Sequence, residues 1–507
     1  MDDLKFREKI RLLSDPYFDR EFFTNLIYCV DRHKTVRDIF DVACGELASV
    51  PYDSKEDVDR ALLHLFYSYQ ASNSVKENYQ WLPISQGLYS LALYRTDGQK
   101  PIHPPGKPYP WPSSQSQGAT LQDFTDLIRR DVREVESFKQ AWASLLFLLD
   151  NRSTRSQAAG VLVKQALTSS DPLTFELITK ALDMALSSGW KSNAYLLKRP
   201  FERFWKQRQK TPEIVDRGFR LANTISSNPP SSSMSPWDPT WTEELWLRVA
   251  NQSSESVWEF VEKISQEGAY PDQLFSIFNL FRGRVLFSMK TEQWPRTTSS
   301  LLYADALQSV SRFLPQDKWA ALAIDILDLI SLVQLVGPHS HMPRPTGESI
   351  LEGVSRNISK DRLILRLDDA LEKGERSEAL ELMAVILKDQ GLSHSVADRL
   401  LLVASKQDGW TYDFKTISTA LTLTKAFEAS MRIAASGESL SDGLFGLLRF
   451  LSDQRDVALK VVPKTGTYGD GLSLSQFDVS QGARIVDRFV FNQLRNAQRV
   501  KVWPSDN

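Results

Sequence analysis

The chain has 507 residues, 42% of them hydrophobic and 24% charged, a balance that excludes a disordered or collagen-like polymer and suffices for a large core. With 61 basic against 63 acidic residues the formal net charge is −2, so no global field draws in nucleic acid or an anionic membrane, and such binding would have to rest on a local patch. Two cysteines, Cys29 and Cys44, exclude a disulfide framework in so long a chain and point to a reducing compartment, the cytoplasm.

The first residues, "MDDLKFREKIRLLSDPYFDREF", are charged throughout and lack the unbroken apolar core of a secretory signal, so the N-X-S triplets at Asn151, Asn251 and Asn357 read as chance matches. Cys29 and His33 lie four apart on an expected helix, but no C-x-x-C pair or second histidine accompanies them, and both cysteines read as packing residues. In "SKEDVDRALLHLFYSY", Ser54 is an N-cap candidate and Val58, Leu62, Leu65 and Phe66 share one side of a helix.

The segment "PIHPPGKPYPWPSSQSQG" carries six prolines in its first twelve residues, which excludes helix and favours an extended chain. Aromatic residues in and around it, Tyr109 and Trp111 among them, would sit poorly in water. The reading is an ordered strap across a helical body, with a pocket lid and a docking peptide as alternatives.

"TLQDFTDLIRRDVREVESFKQAWASLLFLLDN" opens with Thr120 as cap and Asp123 three places on, and predicts one long helix or two with a tight joint. Four shorter helical segments follow from Ser153 to Ser227, each bounded by Ser, Thr, Asp, Gly or Pro. Short joints between helices of similar length predict antiparallel neighbours. The Ser/Pro stretch 226–240 is the clearest internal boundary, after which helical hairpins resume.

The apolar run from Trp319 to Val336 is interrupted by Asp325 and Asp328, so it reads as a buried helix whose aspartates meet Arg or Lys neighbours, and no membrane span is expected. "LDDALEKGERSEALELMAVILKDQG" resembles one tetratricopeptide-type hairpin, with small Ala370 and Ala379 on facing sides. No copies follow at that repeat's period, so the resemblance extends to one generic helix pair. Asp368, Asp369 and Glu372 within it read as a solvated helix start. Glycines at 466, 469 and 471 among β-branched and aromatic residues predict a small β-hairpin or extended arm before a last helix.

The fold expected is all-α: consecutive antiparallel helix pairs in an irregular α-solenoid-like array or multi-helical bundle, with a small β-hairpin or extended arm near the C-terminus. The regions are 1–118 ending in the proline strap, 119–228 and 240–455 as two helical-hairpin arrays, and 456–507 as the arm and a basic helix.

Three sets of residues are candidates for function. The segment 191–210 holds seven Lys or Arg against one Glu, interleaved with aromatics. Lys198, Arg199, Arg203, Trp205, Lys206 and Arg208 could grip an anionic partner, although the ordinary fate of such a helix is aromatics inward and charges in water. In the last helix Arg484, Arg488, Arg495 and Arg499 fall on one stripe for an acidic partner, a phosphate backbone or water. His339 and His341, in a loop beyond the apolar helix, have the H-x-H spacing of two metal ligands and could line a pocket with Tyr109 and Trp111. An ordinary loop pair is the competing reading, and no cofactor is otherwise expected. The function expected is a cytosolic protein-protein interaction or assembly component, including self-association. The alternatives are an enzyme or small-ligand binder with an inter-helical pocket, metal-dependent through the two histidines, and nucleic-acid binding through 191–210.

Overall fold

The computed structural model describes residues 35–48, 56–75, 80, 83–84, 86–88, 119–129, 135–188, 194–226, 237–336, 360–373, 375–388, 390–407, 415–433, 438–461, 467–468 and 472–473. Local sequence signals set many of the helix starts. At α1 (Val36–Ala48) and α3 (Leu121–Arg129) a threonine and an aspartate cap each other: the Thr35 and Thr120 amides donate to the Asp38 and Asp123 carboxylates at 2.8 and 3.0 Å, and the aspartate amides donate back to the threonine hydroxyls. Between them lies α2 (Glu56–Ser72), which buries Val58, Leu62, Leu65 and Phe66 as its periodicity requires.

The segment that begins at Thr120 carries α3 and α4 (Val135–Asp150), and the joint expected between them lies outside the described residues. Then come α5 (Arg152–Ser169), α6 (Pro172–Ser188), a 3-10 turn at Ala194–Leu197 running into α7 (Lys198–Lys206), and α8 (Glu213–Ser226). Asn151 caps α5, Asp238 caps α9 (Pro239–Ala250) and Ser253 caps α10 (Ser254–Gln266), each through a side-chain oxygen that accepts an early helix amide. The body continues with α11 (Pro271–Ser288), α12 (Trp294–Phe313), α13 (Lys318–Val336), α14 (Lys360–Lys373), α15 (Arg376–Leu387), α16 (Gln390–Gln407), α17 (Thr416–Arg432) and α18 (Glu438–Val461). Ala370 and Ala379 are buried on facing helices of the α14–α15 pair. At the expected arm, Thr467 pairs with Ser473 and Tyr468 with Leu472 in a two-residue antiparallel ladder.

The described residues form an all-α, multi-helical fold in which sequential helices pack as pairs and helices distant in sequence pack as well. α2 lies on α17, α8 on α13, and α11 on α18, so helices on both sides of the Ser/Pro boundary contribute to one hydrophobic core. The α11–α18 crossing is a backbone contact. A Cβ placed on Gly446 would come within 1.8 Å of the Gly283 carbonyl oxygen, so only glycine admits the approach. Beside it, Arg284 pairs with buried Asp442 at 3.3 Å and stacks over Trp246.

The apolar run forms α13. Its Asp325 and Asp328 turn into the core, where fully buried Arg282 of α11 reaches both at 2.6 and 3.2 Å and donates to Ser300 at 2.8 Å. Among the described residues no helix is long and apolar enough to cross a membrane.

A candidate polar cleft between five helices

The basic-aromatic segment turns only part of its charge to solvent, and two of its arginines face inward. Asp59 of α2 is fully buried at the α2–α7 contact, and Arg199 and Arg203 turn inward to it at 2.6 and 2.7 Å. Arg203 also donates to Thr174 and approaches Asp171. Burial pushes the Asp59 carboxyl up despite both arginines. Trp205 packs with Phe138 and Phe201, and the Arg208 guanidinium lies 4.2 Å from the Trp205 ring centre. Lys198 is half-buried, while Lys206 is exposed and paired with Glu202. A gripping surface built on Arg199 and Arg203 is therefore corrected to an internal ion-pair joint, because a buried carboxylate needs counter-charge more than the guanidinium groups need water.

Tyr109, Trp111, His339, His341, Arg484, Arg488, Arg495 and Arg499 lie outside the described residues, as do the proline segment, Cys29 and His33. Cys44 is a buried thiol, pushed well up in pKa by burial and by Asp41. Among the described residues no group of three or more His, Cys, Asp or Glu side chains is placed to hold a metal ion.

A cleft of about 940 Å³ opens elsewhere, between α2, α6, α11, α12 and α17. Each helix contributes residues at helical spacing: Gln70 from α2 with Asn73 just past its end, Lys180 and Asp183 from α6, Ser276 and Asn279 from α11, Asp305, Ser309 and Arg312 from α12, and Thr422, Lys425 and Arg432 from α17. The lining is strongly polar, unlike the apolar walls of most small-molecule pockets.

Its floor is an ion-pair network. Lys180 is buried, joined to Asp305, and lies 4.8 Å from the ring centre of Tyr67. The Tyr67 hydroxyl is within hydrogen-bond reach of Glu176 at 3.1 Å and Asp305 at 3.2 Å. Asp183 accepts from Ser309 at 3.1 Å and pairs with Arg312 at 2.6 Å. Burial drives the Glu176 and Asp183 carboxyls up in pKa. For Asp305 burial acts in the same sense, but the charges of Lys180 and Lys425 outweigh it and hold that carboxyl down. Lys180 is held up by Asp305 and Asp183 against the effect of its own burial. Lys425 is exposed at the cleft, where partial desolvation and then the charge of Lys180 lower the pKa of its ammonium.

Two atoms of the wall have no hydrogen-bond partner: Asn279 Oδ1 and Thr422 Oγ1, on residues only 2% and 3% exposed. Both oxygens are closed off beneath the cleft surface. No protein-family model, curated protein or solved structure matches the chain.

The cleft residues carried a signal that a reading by motif passes over. Lys180 and Asp183 interrupt an otherwise apolar helix in "LITKALDMAL", and Asp305 stands between alanines in "LLYADAL". Charges on a face that must be buried mark a polar site, but which of them meet is decided by contacts such as that between α6 and α12.

Proposed function

We propose that this chain is a binding protein for a small, polar, water-soluble molecule held in the cleft between α2, α6, α11, α12 and α17. The observation that carries the reading is a polar cleft of about 940 Å³ floored by the ion-pair network of Lys180, Asp183 and Asp305. The perturbed carboxyl and amine groups on the floor are of the kind that cluster at functional sites. A location in the cytoplasm accords with two cysteines in 507 residues.

Native mass spectrometry of the intact chain tests the reading. The expected mass exceeds that of the polypeptide by one small molecule, and the excess is lost in the Gln70→Leu, Arg432→Met double variant. An unliganded native mass, together with no shift in melting temperature across a panel of polar metabolites, would refute it. A protein bound at fixed stoichiometry in the same spectrum would instead support an assembly component.

A further inference from the structure

The core cluster at the junction of α11, α12 and α13 is unbalanced in charge. One guanidinium, Arg282, stands against two carboxylates, Asp325 and Asp328, and neither Arg282 nor Asp325 has any exposed surface. Fully ionised, the three would leave a net negative charge in the core, where uncompensated charge is strongly disfavoured. The hydrogen bonds are unequal as well. Asp328 receives both Arg282 and the Ser300 hydroxyl, whereas Asp325 receives Arg282 at Oδ1 and its buried Oδ2 has no donor. An ionised carboxylate calls for donors at both oxygens, and a protonated one does not.

No other charge beside the cluster restores the balance. Arg284 of α11 is committed to Asp442, and Asp305 of α12 to Lys180. Tyr303 of α12 is a buried phenol, held up in pKa by burial and by both aspartates. The helices α8, α9 and α10 also pack on α13, but none of their charged residues is buried: Arg217 pairs with Glu255, and Arg248 with Glu244. In the 3-10 turn Pro315–Asp317 that leads into α13, Asp317 pairs with Lys164.

We propose that this cluster is a proton latch: in mildly acidic solution Asp325 takes up a proton at Oδ2, which restores charge balance and tightens the packing of α13 on α11 and α12. Both α11 and α12 also wall the cleft, so the latch lies behind that wall. Burial lifts the Asp325 carboxyl to about 6, Asp328 adds to the rise, and Arg282 opposes it only in part. An acid whose folded pKa exceeds its unfolded value of about 3.9 holds its proton more tightly in the folded chain. It therefore adds stability as pH falls from about 7 toward about 4.

Urea unfolding of the full chain and of Asp325→Asn at pH 7.5 and 5.0 reads the latch as a difference in which the other carboxylates cancel. Asparagine copies the protonated form, so the natural chain should gain about tenfold in its folding equilibrium constant, relative to the variant, between those pH values. Equal responses to pH in the two proteins would overturn the latch. Infrared difference spectra of the folded chain read the same proton without unfolding. The band of a protonated, buried carboxyl should grow in with a midpoint near pH 6 and be missing from Asp325→Asn. A natural chain with no carboxyl titrating above about pH 5 overturns the latch whether or not the variant folds.

Discussion

Replacing Arg282 by methionine tests whether the core charges of α11 and α13 are mutually dependent. Arg282 and Asp325 have no exposed surface, and Asp328 is nearly as buried. Methionine fills most of the arginine stem, so the loss is electrostatic rather than a cavity. Breaking a buried ion pair from one side costs about 3–5 kcal/mol, a large share of the 5–15 kcal/mol by which domains are ordinarily stable. The cost should depend on pH, and the sign follows from Asp325. Its carboxyl is raised to about 6 by burial although Arg282 lowers it, and without Arg282 it must rise further. Lowering the pH from 7.5 to 5.5 lets the folded variant take up a proton that the unfolded chain does not bind, so the penalty shrinks. Urea unfolding of both proteins at the two pH values measures this. Equal losses at both, or a loss under about 1 kcal/mol, would refute the reasoning. The triple change Arg282→Met, Asp325→Leu, Asp328→Leu should recover most of the stability, since hydrophobic replacements of buried pairs are often neutral or better.

Asp59→Asn should destabilise by about 3 kcal/mol or more in urea, because it leaves Arg199 and Arg203 facing a neutral amide in the core, and retention of full stability would contradict the ion-pair joint. Gly446→Ala forces α18 away from the Gly283 carbonyl and should cost about 1–3 kcal/mol, read from the thermal midpoint, whereas the same change at an exposed helical glycine would stabilise.

Much of the fold was legible along the chain because its signals are local. The Thr120 and Asp123 pair announces the start of α3, Asp238 and Pro239 that of α9, and the paired alanines 370 and 379 a helical hairpin, each through groups within a turn or two of one another. Asp325 and Asp328 announced a buried counter-charge without naming Arg282. The basic segment 191–210 misled where a neighbour distant in sequence intervened: nothing within the segment shows that Asp59, 140 positions before Arg199, will sit beneath it.

Hydrophobic side chains recurring every three or four residues select helices, and cap and breaker residues punctuate them, so the all-α character follows from interactions within single segments. The polar cleft has a different origin. Lys180, Asp305, Asn279 and Lys425 come from four separate helices, and their proximity, with the shift it imposes on the Lys425 amine, exists only after those helices pack. Electrostatic coupling depends on distance in space, and chain order leaves that distance undetermined.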